Sequence, residues 1–78
     1  MTNLEKYNAA FCETLNVEEA QLADLKYQAV PSWDSVGHMS LVAAIEDAFD
    51  IMMDMDDIID LSSYEKGKEI LKKYEVEL

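Results

Sequence analysis

The chain has 78 residues, half of them apolar, and carries six lysines against 17 acids, for a formal net charge of −11. A chain of this length forms one small domain, with a modest core and little room for a deep catalytic cleft. The acidic balance argues against binding to nucleic acid or to an anionic membrane surface, because both present negative charge. It favours a protein partner that offers a basic patch.

The remaining composition is typical of a helical protein without a membrane anchor. Cys12 is the only cysteine, which excludes an internal disulfide and a cysteine-rich metal site. The N-terminal residues lack a basic region followed by an apolar run, and no apolar stretch is long enough to span a membrane. One proline and two glycines favour helices over many short strands. We therefore expect a cytoplasmic, monomeric protein with a single domain over residues 1–78.

Helical periodicity predicts the first helix over residues 3–15. Thr2 and Glu5 there form the S/T-x-x-E pattern of a capping box. A long loop over residues 16–33 follows, with a helical fragment capped by Asn16. The apolar residues that recur at helical spacing in the first helix are Leu4, Tyr7, Phe11 and Leu15.

The strongest helix signal covers residues 36–49, where two faces differ in character. The core face is predicted to carry Met39, Leu41, Val42, Ile45, Ala48 and Phe49. The opposite face carries a stripe of small, partly apolar residues bordered by acids, which we call the outward stripe. Its members are Val36, Ser40, Ala43 and Asp47. The stripe indicates a protein-binding surface, with an ordinary solvated face as the alternative.

Two further helices complete the prediction, a short one over residues 54–61 and a last one over residues 63–74. Ser62 and Glu65 form a second capping-box pattern before the last helix. The fold class predicted is all-α, a small four-helix bundle of three longer helices and a short third helix, with a long loop between the first two. The acids cluster on the second and third helices, because no lysine occurs between Lys26 and Lys66. Their spacing does not match a calcium-binding EF-hand loop, and we expect no metal site.

Asp34, Ser35 and His38 stand within five positions of one another and suggest a catalytic triad. A triad is defined by three-dimensional geometry, however, and the residues around Ser35 are not G-x-S-x-G. Ser35 lies instead at the start of the second helix, where Asp34 can cap the first N–H groups. A hydroxyl at this position can carry a phosphodiester that the helix N-terminus stabilises. A routine helix-starting serine is the alternative.

The segment DSVGHMSLVAAIEDAF at residues 34–49 resembles the phosphopantetheine attachment motif of acyl carrier proteins. The length, acidity and helix order of the whole chain are also similar to that family. The resemblance implies a 4′-phosphopantetheine arm on Ser35, added from coenzyme A by a phosphopantetheinyl transferase with magnesium, while Asp34 helps to position the transferase and its metal. The arm would hold acyl intermediates as thioesters, so the chain itself would be a carrier and not an enzyme.

The resemblance also implies how partners and acyl groups would be bound. Partners would be acyl-loading, acyl-transfer or synthase enzymes with basic patches, in fatty-acid, polyketide or specialised lipid biosynthesis. The family's partner-facing positions map onto Val36, Ala43, Glu46 and Asp47, three of which lie in the outward stripe. An acyl pocket would lie between the second and third helices, with walls formed by Met39, Ile45, Ile58, Ile59 and Leu61. Ordinary placement of these residues in the core and on the surface is the alternative.

Several residues depart from the commonest fatty-acid carriers, namely Trp33, Val36, Gly37, His38 and Ser40. The Trp-Asp-Ser start is more similar to carriers of specialised pathways or of amino acids. An aminoacyl or peptidyl carrier of the D-alanyl type is therefore one alternative, and an unmodified acidic adaptor protein is another. Trp33 is expected to pack the end of the loop on the bundle. His38 is expected to be partly buried on that loop, with a cationic contact to the arm's phosphate as the alternative.

Overall fold

Five helices form the protein, according to a computed structural model that describes residues 2–78. They are α1, Asn3–Leu15; α2, Glu19–Leu22; α3, Ser35–Phe49; α4, Met55–Asp60; and α5, Tyr64–Lys72. Within residues 2–78 there is no strand, only an isolated bridge between Lys26 and Ser63. The fold is therefore all-α, as predicted, and α2 is the helical fragment expected in the long loop. None of the helices in this range is long and apolar enough to cross a bilayer.

The caps that begin α1 and α3 lie where the sequence predicts them. Thr2 and Glu5 satisfy each other's backbone N–H groups in a complete capping box. Asp34 accepts the Gly37 N–H at 2.8 Å, which satisfies one of the N–H groups left without a partner at the start of α3. These two helices consequently begin at Asn3 and at Ser35.

Two other predicted caps are wrong. Asn16 does not cap α2 but ends α1, in a left-handed conformation with φ of 55°. The N-cap of α5 is Ser63, whose hydroxyl accepts the Lys66 N–H at 3.0 Å, and not the neighbouring Ser62. Adjacent serines offer the same side chain, and tertiary contacts of the backbone decide between them. Here the Ser63 residue also bridges to Lys26 of the loop.

An aromatic cluster at the centre of the core joins α1, the long loop and α5. The Phe11 ring lies 5.6 Å from Trp33 and 5.3 Å from Tyr64, both in edge-on arrangements. The Tyr7 hydroxyl donates a 2.6 Å hydrogen bond to the Tyr64 carbonyl. Burial raises the pKa of Tyr7 well above the ordinary tyrosine value. Buried aliphatic residues of α1, α2, α3 and α5 complete the core, including Leu15, Leu22, Leu41, Ile45, Ile70 and Leu71.

Hydrogen bonds fix the long loop to the rest of the fold. The Ser32 hydroxyl donates to the Leu15 carbonyl at 2.6 Å, and so satisfies the C-terminal end of α1. The Tyr27 N–H donates to the Ser62 carbonyl, and the Tyr64 N–H donates to the Leu25 carbonyl. The loop therefore reaches the start of α3 in a defined path between α1 and the α4–α5 connection.

Candidate functional site

Ser35 is the first residue of α3, a helix of 15 residues, and it is exposed to solvent. The carboxylate of Asp34 is engaged with the Gly37 N–H, while the Asp34 carbonyl accepts the His38 N–H at 2.7 Å. The backbone N–H groups and the positive end of the helix dipole are concentrated at this turn. The Ser35 hydroxyl is thus accessible to another protein at a position that favours negative charge.

Gly37 allows the loop to pass directly over this first turn. A Cβ atom at residue 37 would lie 1.9 Å from the carbonyl oxygen of Ser32. That oxygen belongs to the backbone, so it cannot move aside as the end of a flexible side chain would. The glycine two positions after Ser35 is therefore required by packing, a reason that the sequence alone did not reveal.

Both ring nitrogens of His38 are hydrogen-bonded to groups other than Ser35. The indole N–H of the fully buried Trp33 donates to Nδ1 at 2.9 Å, and Nε2 lies 2.7 Å from the carbonyl oxygen of Ile58. Because an indole N–H can only donate, Nδ1 must be the unprotonated nitrogen and Nε2 must carry the proton. In a doubly protonated ring, the Nδ1–H and the Trp33 N–H would face each other with no acceptor between them. His38 is therefore a neutral, half-buried residue packed on the loop, and it is not placed to act as a base for Ser35.

The outward stripe follows one exposed side of α3 away from Ser35. Val36 is 76% exposed, and Ser40, Ala43 and Asp47 are also exposed. Glu46, which the family resemblance added to this set, is half-buried, and its Oε2 accepts the Met53 N–H at 2.8 Å. The structure thus brings the four residues of the stripe together with Ser35, while the Glu46 carboxylate holds the α3–α4 loop.

The five residues proposed to line an acyl pocket do not share one environment. Ile45 and Leu61 are 1% exposed in the core, and Ile58 is half-buried against it. Met39 and Ile59 are instead 55% and 75% exposed. The residues that sequence reasoning grouped as pocket walls are therefore divided between the core and the surface.

Comparison with known proteins yields no relative: no protein-family model, no curated protein and no solved structure matches this chain. The functional argument therefore depends on the geometry around Ser35.

The surface of α4 is both apolar and acidic. Met55 and Ile59 lie one turn apart and are 74% and 75% exposed. The exposed acids Asp54, Asp56 and Asp60 alternate with them along the chain. Sequence reasoning assigned the acids to a partner-binding surface but did not find these exposed apolar residues, because a six-residue helix is too short for its periodicity to define an inner face. Among residues 2–78, no three His, Cys, Asp or Glu side chains converge as a group that could hold a metal.

Asp57 differs from the other acids of α4 because it is buried, at 3% exposure. It accepts hydrogen bonds from the Lys73 ammonium and the Tyr74 hydroxyl, both at 2.5 Å. These two donors lower the pKa of the Asp57 carboxyl below its ordinary value. No sequence pattern indicated this contact, since the partners lie 16 and 17 residues away. Asp57 therefore holds α4 against the chain that follows α5, and it is not part of the acidic surface.

Proposed function

We propose that this protein carries acyl groups as thioesters on a 4′-phosphopantetheine arm attached to Ser35. The observation that carries the proposal is the exposed Ser35 at the first residue of a 15-residue helix, directly after the capping Asp34. A transferase must reach this hydroxyl to modify it, and the helix N-terminus stabilises the phosphodiester that results. In this role α1, α3, α4 and α5 correspond to the four helices of an acyl carrier.

The surroundings of Ser35 fit such an arm. The Asp34 carboxylate is occupied by the Gly37 N–H, so that it stays close to the helix terminus. Val36, the next residue along, is exposed, and Trp33, the residue before Asp34, is fully buried. The base of the arm would therefore leave the protein at a rigid point. When attached, the arm supplies a terminal thiol, and acyl groups bind to that thiol as thioesters.

The outward stripe supports docking of partner enzymes beside the arm. Val36, Ser40, Ala43 and Asp47 are small or acidic, and none of them would obstruct the close approach of a second protein. The net charge of −11 would attract and orient a partner that presents a basic patch. A transferase, an acyl-loading enzyme and a synthase could each use this face in turn, because all of them must reach the same thiol.

An unmodified adaptor protein is the second candidate function. The exposed apolar residues of α4 favour it, since Met55 and Ile59 would suit a partner surface without any arm. An aminoacyl or peptidyl carrier of the D-alanyl type would use the same Ser35 chemistry with a different cargo. Carriers of either cargo differ from the adaptor in one measurable property, which is covalent modification of Ser35.

The decisive experiment is incubation with a phosphopantetheinyl transferase of broad specificity, coenzyme A and magnesium, followed by intact-protein mass spectrometry. We expect the wild-type protein to gain one arm and Ser35→Ala to gain none, because the alanine lacks the hydroxyl that is modified. Ser62→Ala is the matched control, since Ser62 is also an exposed serine at the edge of a helix. It should be modified like the wild type.

Two results would contradict the carrier assignment. One is an unmodified wild-type protein under conditions that convert an established acyl carrier completely, which would favour the adaptor. The other is a gain of one arm by Ser35→Ala, which would assign the modification to a different residue. If the arm is transferred from an acylated coenzyme A, neutral hydroxylamine should release the acyl group, as expected of a thioester.

A further inference from the structure

We infer that His38 is a positioning residue: its neutral imidazole, fixed between Trp33 and the carbonyl of Ile58, holds α4 beside the turn of α3 that bears Ser35. A transferase would then meet α3 and α4 as one surface. The inference rests on the proposed function insofar as Ser35 is the residue modified. The geometry of the imidazole and its bond to α4 is independent of that function.

The imidazole is held on several sides. It stacks on the Trp33 ring, with the planes 14° apart, and the Tyr27 ring meets it edge-on with centroids 5.4 Å apart. Its two hydrogen bonds, to Trp33 and to the Ile58 carbonyl, leave one tautomer and one orientation. A single side chain therefore joins the long loop, the first turn of α3 and α4.

The position of α4 depends on such ties, because a helix of six residues has no stability of its own in water. Asp57 fixes α4 to the chain just after α5, through Lys73 and Tyr74. The bond from His38 to Ile58 instead fixes α4 to α3, three residues after Ser35. Glu46 holds the α3–α4 loop at the far end of α3, whereas the bond from His38 joins α4 to the turn that bears the modified hydroxyl.

Two substitutions can separate the two bonds of the ring. In His38→Asn, the shorter amide can accept the Trp33 N–H near the position of Nδ1, but it cannot reach the Ile58 carbonyl. In His38→Gln, the longer amide can donate to Ile58 near the position of Nε2, while Trp33 is left without its acceptor. His38→Ala removes both bonds.

A positioning role predicts that the variant with the larger loss of stability, His38→Gln, has the smaller rise in KM, and that the reverse holds for His38→Asn. We expect His38→Asn to unfold at a urea concentration only slightly below that of the wild type, while its KM with the transferase rises about fivefold and kcat is unchanged, the size expected from one lost hydrogen bond. We expect His38→Gln to unfold at a lower urea concentration, because a buried indole N–H is unpaired, while its KM stays close to that of the wild type. Tyr27→Phe keeps both bonds of His38 and serves as the control.

The inference would be overturned if KM rose most in the variants that lose most stability, or if His38→Asn and His38→Ala kept the wild-type KM. If the wild-type protein is not modified at all, the proposed function fails, and hydrogen exchange still tests the tie. Backbone amides of α4 should then exchange about fivefold faster in His38→Asn than in His38→Gln. Nitrogen NMR of the unmodified wild type adds a test that needs no variant, since a proton found on Nδ1 at neutral pH contradicts the assigned geometry.

Discussion

At the scale of single residues, Gly67 shows how tightly the core fixes one position. A Cβ atom there would lie 2.0 Å from the Tyr7 hydroxyl oxygen and 2.9 Å from a methyl carbon of Leu61. The Tyr7 hydroxyl cannot retreat freely, because it donates to the Tyr64 carbonyl inside the core. Glycine is therefore the residue that lets α5 approach α1 at this point.

We predict that Gly67→Ala lowers the free energy of unfolding by about 1–3 kcal/mol, the usual cost of overpacking a core. An alanine in an unobstructed helix would have the opposite effect, since alanine is the better helix former. Tyr7→Phe removes the hydroxyl that the new methyl group would strike, at the loss of one hydrogen bond worth about 1 kcal/mol. Urea unfolding of the two single variants and of the double variant measures the outcome.

The double variant distinguishes a steric cause from a general weakening of α5. If the hydroxyl is the obstacle, the double variant should lose less unfolding free energy than the two single variants lose together, by about 1 kcal/mol. Strict additivity, or a Gly67→Ala protein as stable as the wild type, would contradict the close approach between α1 and α5.

The residues around Ser35 show what sequence reasoning can recover and what it cannot. Asp34 was predicted correctly as the cap, because capping depends on neighbours in the chain. Ser35 was expected just before a helix over residues 36–49, and it is instead the first residue of α3. The contact of His38 with α4 could not be predicted, since the Ile58 carbonyl lies 20 residues away. The need for Gly37 was also hidden, because it arises from the path of the loop over α3.

At the scale of elements, the bounds of α1, α3, α4 and α5 were predicted to within two residues, whereas the buried side of the short helix α4 was not. Periodicity over 13 or 15 residues defines a buried side, as in α1 and α3. In α4 the buried residue is Asp57, while Met55 and Ile59 are exposed. A charged residue on the inner side of a six-residue helix reverses the pattern that sequence reasoning relies on.

The tie from Asp57 to Lys73 and Tyr74 predicts a specific dependence of stability on pH. The pKa of Asp57 is lowered from its ordinary value of 3.8, and the first cause is the hydrogen bond from Lys73, followed by the one from Tyr74. A lowered pKa in the folded state means that the stabilisation is complete above the ordinary value. It is lost as the pH falls through the lowered value, when the carboxylate becomes protonated.

We predict that Asp57→Asn reduces the free energy of unfolding at pH 7, because a neutral amide replaces the carboxylate that faces the Lys73 ammonium. The difference between wild type and variant should narrow as the pH falls below 3.8. Asp56→Asn, an exposed neighbour on the same helix, is the control and should change stability less at pH 7. A difference for Asp57→Asn that stays constant from pH 7 to the acid limit would exclude the ionised tie as its source.

At the scale of the whole molecule, 17 acids against six lysines produce repulsion that opposes folding. The ends of α1 and α3 offer a matched pair of sites at which to measure it. Asn16 and Asp50 are both left-handed helix C-caps, with φ of 55° and 52° and ψ of 50° in each. The backbone is therefore nearly the same at the two sites, whereas the side chains differ in charge.

We predict that Asp50→Asn raises the free energy of unfolding by about 0.5–1 kcal/mol at low salt. The change removes a negative charge from the negative end of the α3 dipole and from an acidic surface, and asparagine tolerates the left-handed conformation well. Asn16→Asp makes the reverse change at the end of α1 and should lower the free energy of unfolding by a similar amount. Urea unfolding at about 10 mM and about 500 mM sodium chloride measures both, since urea is uncharged and salt of that strength screens exposed charges.

Both effects should shrink at high salt, because the Debye length falls from about 30 Å to a few ångströms over that range. The part that survives screening reports the intrinsic preference of asparagine for the left-handed cap, and it should have the same size at both sites. If the two variants shift stability in the same direction, repulsion does not limit the stability of this fold. In that case the acidic surface could be extended without loss, and the charge that would attract basic partners would carry no cost in folding.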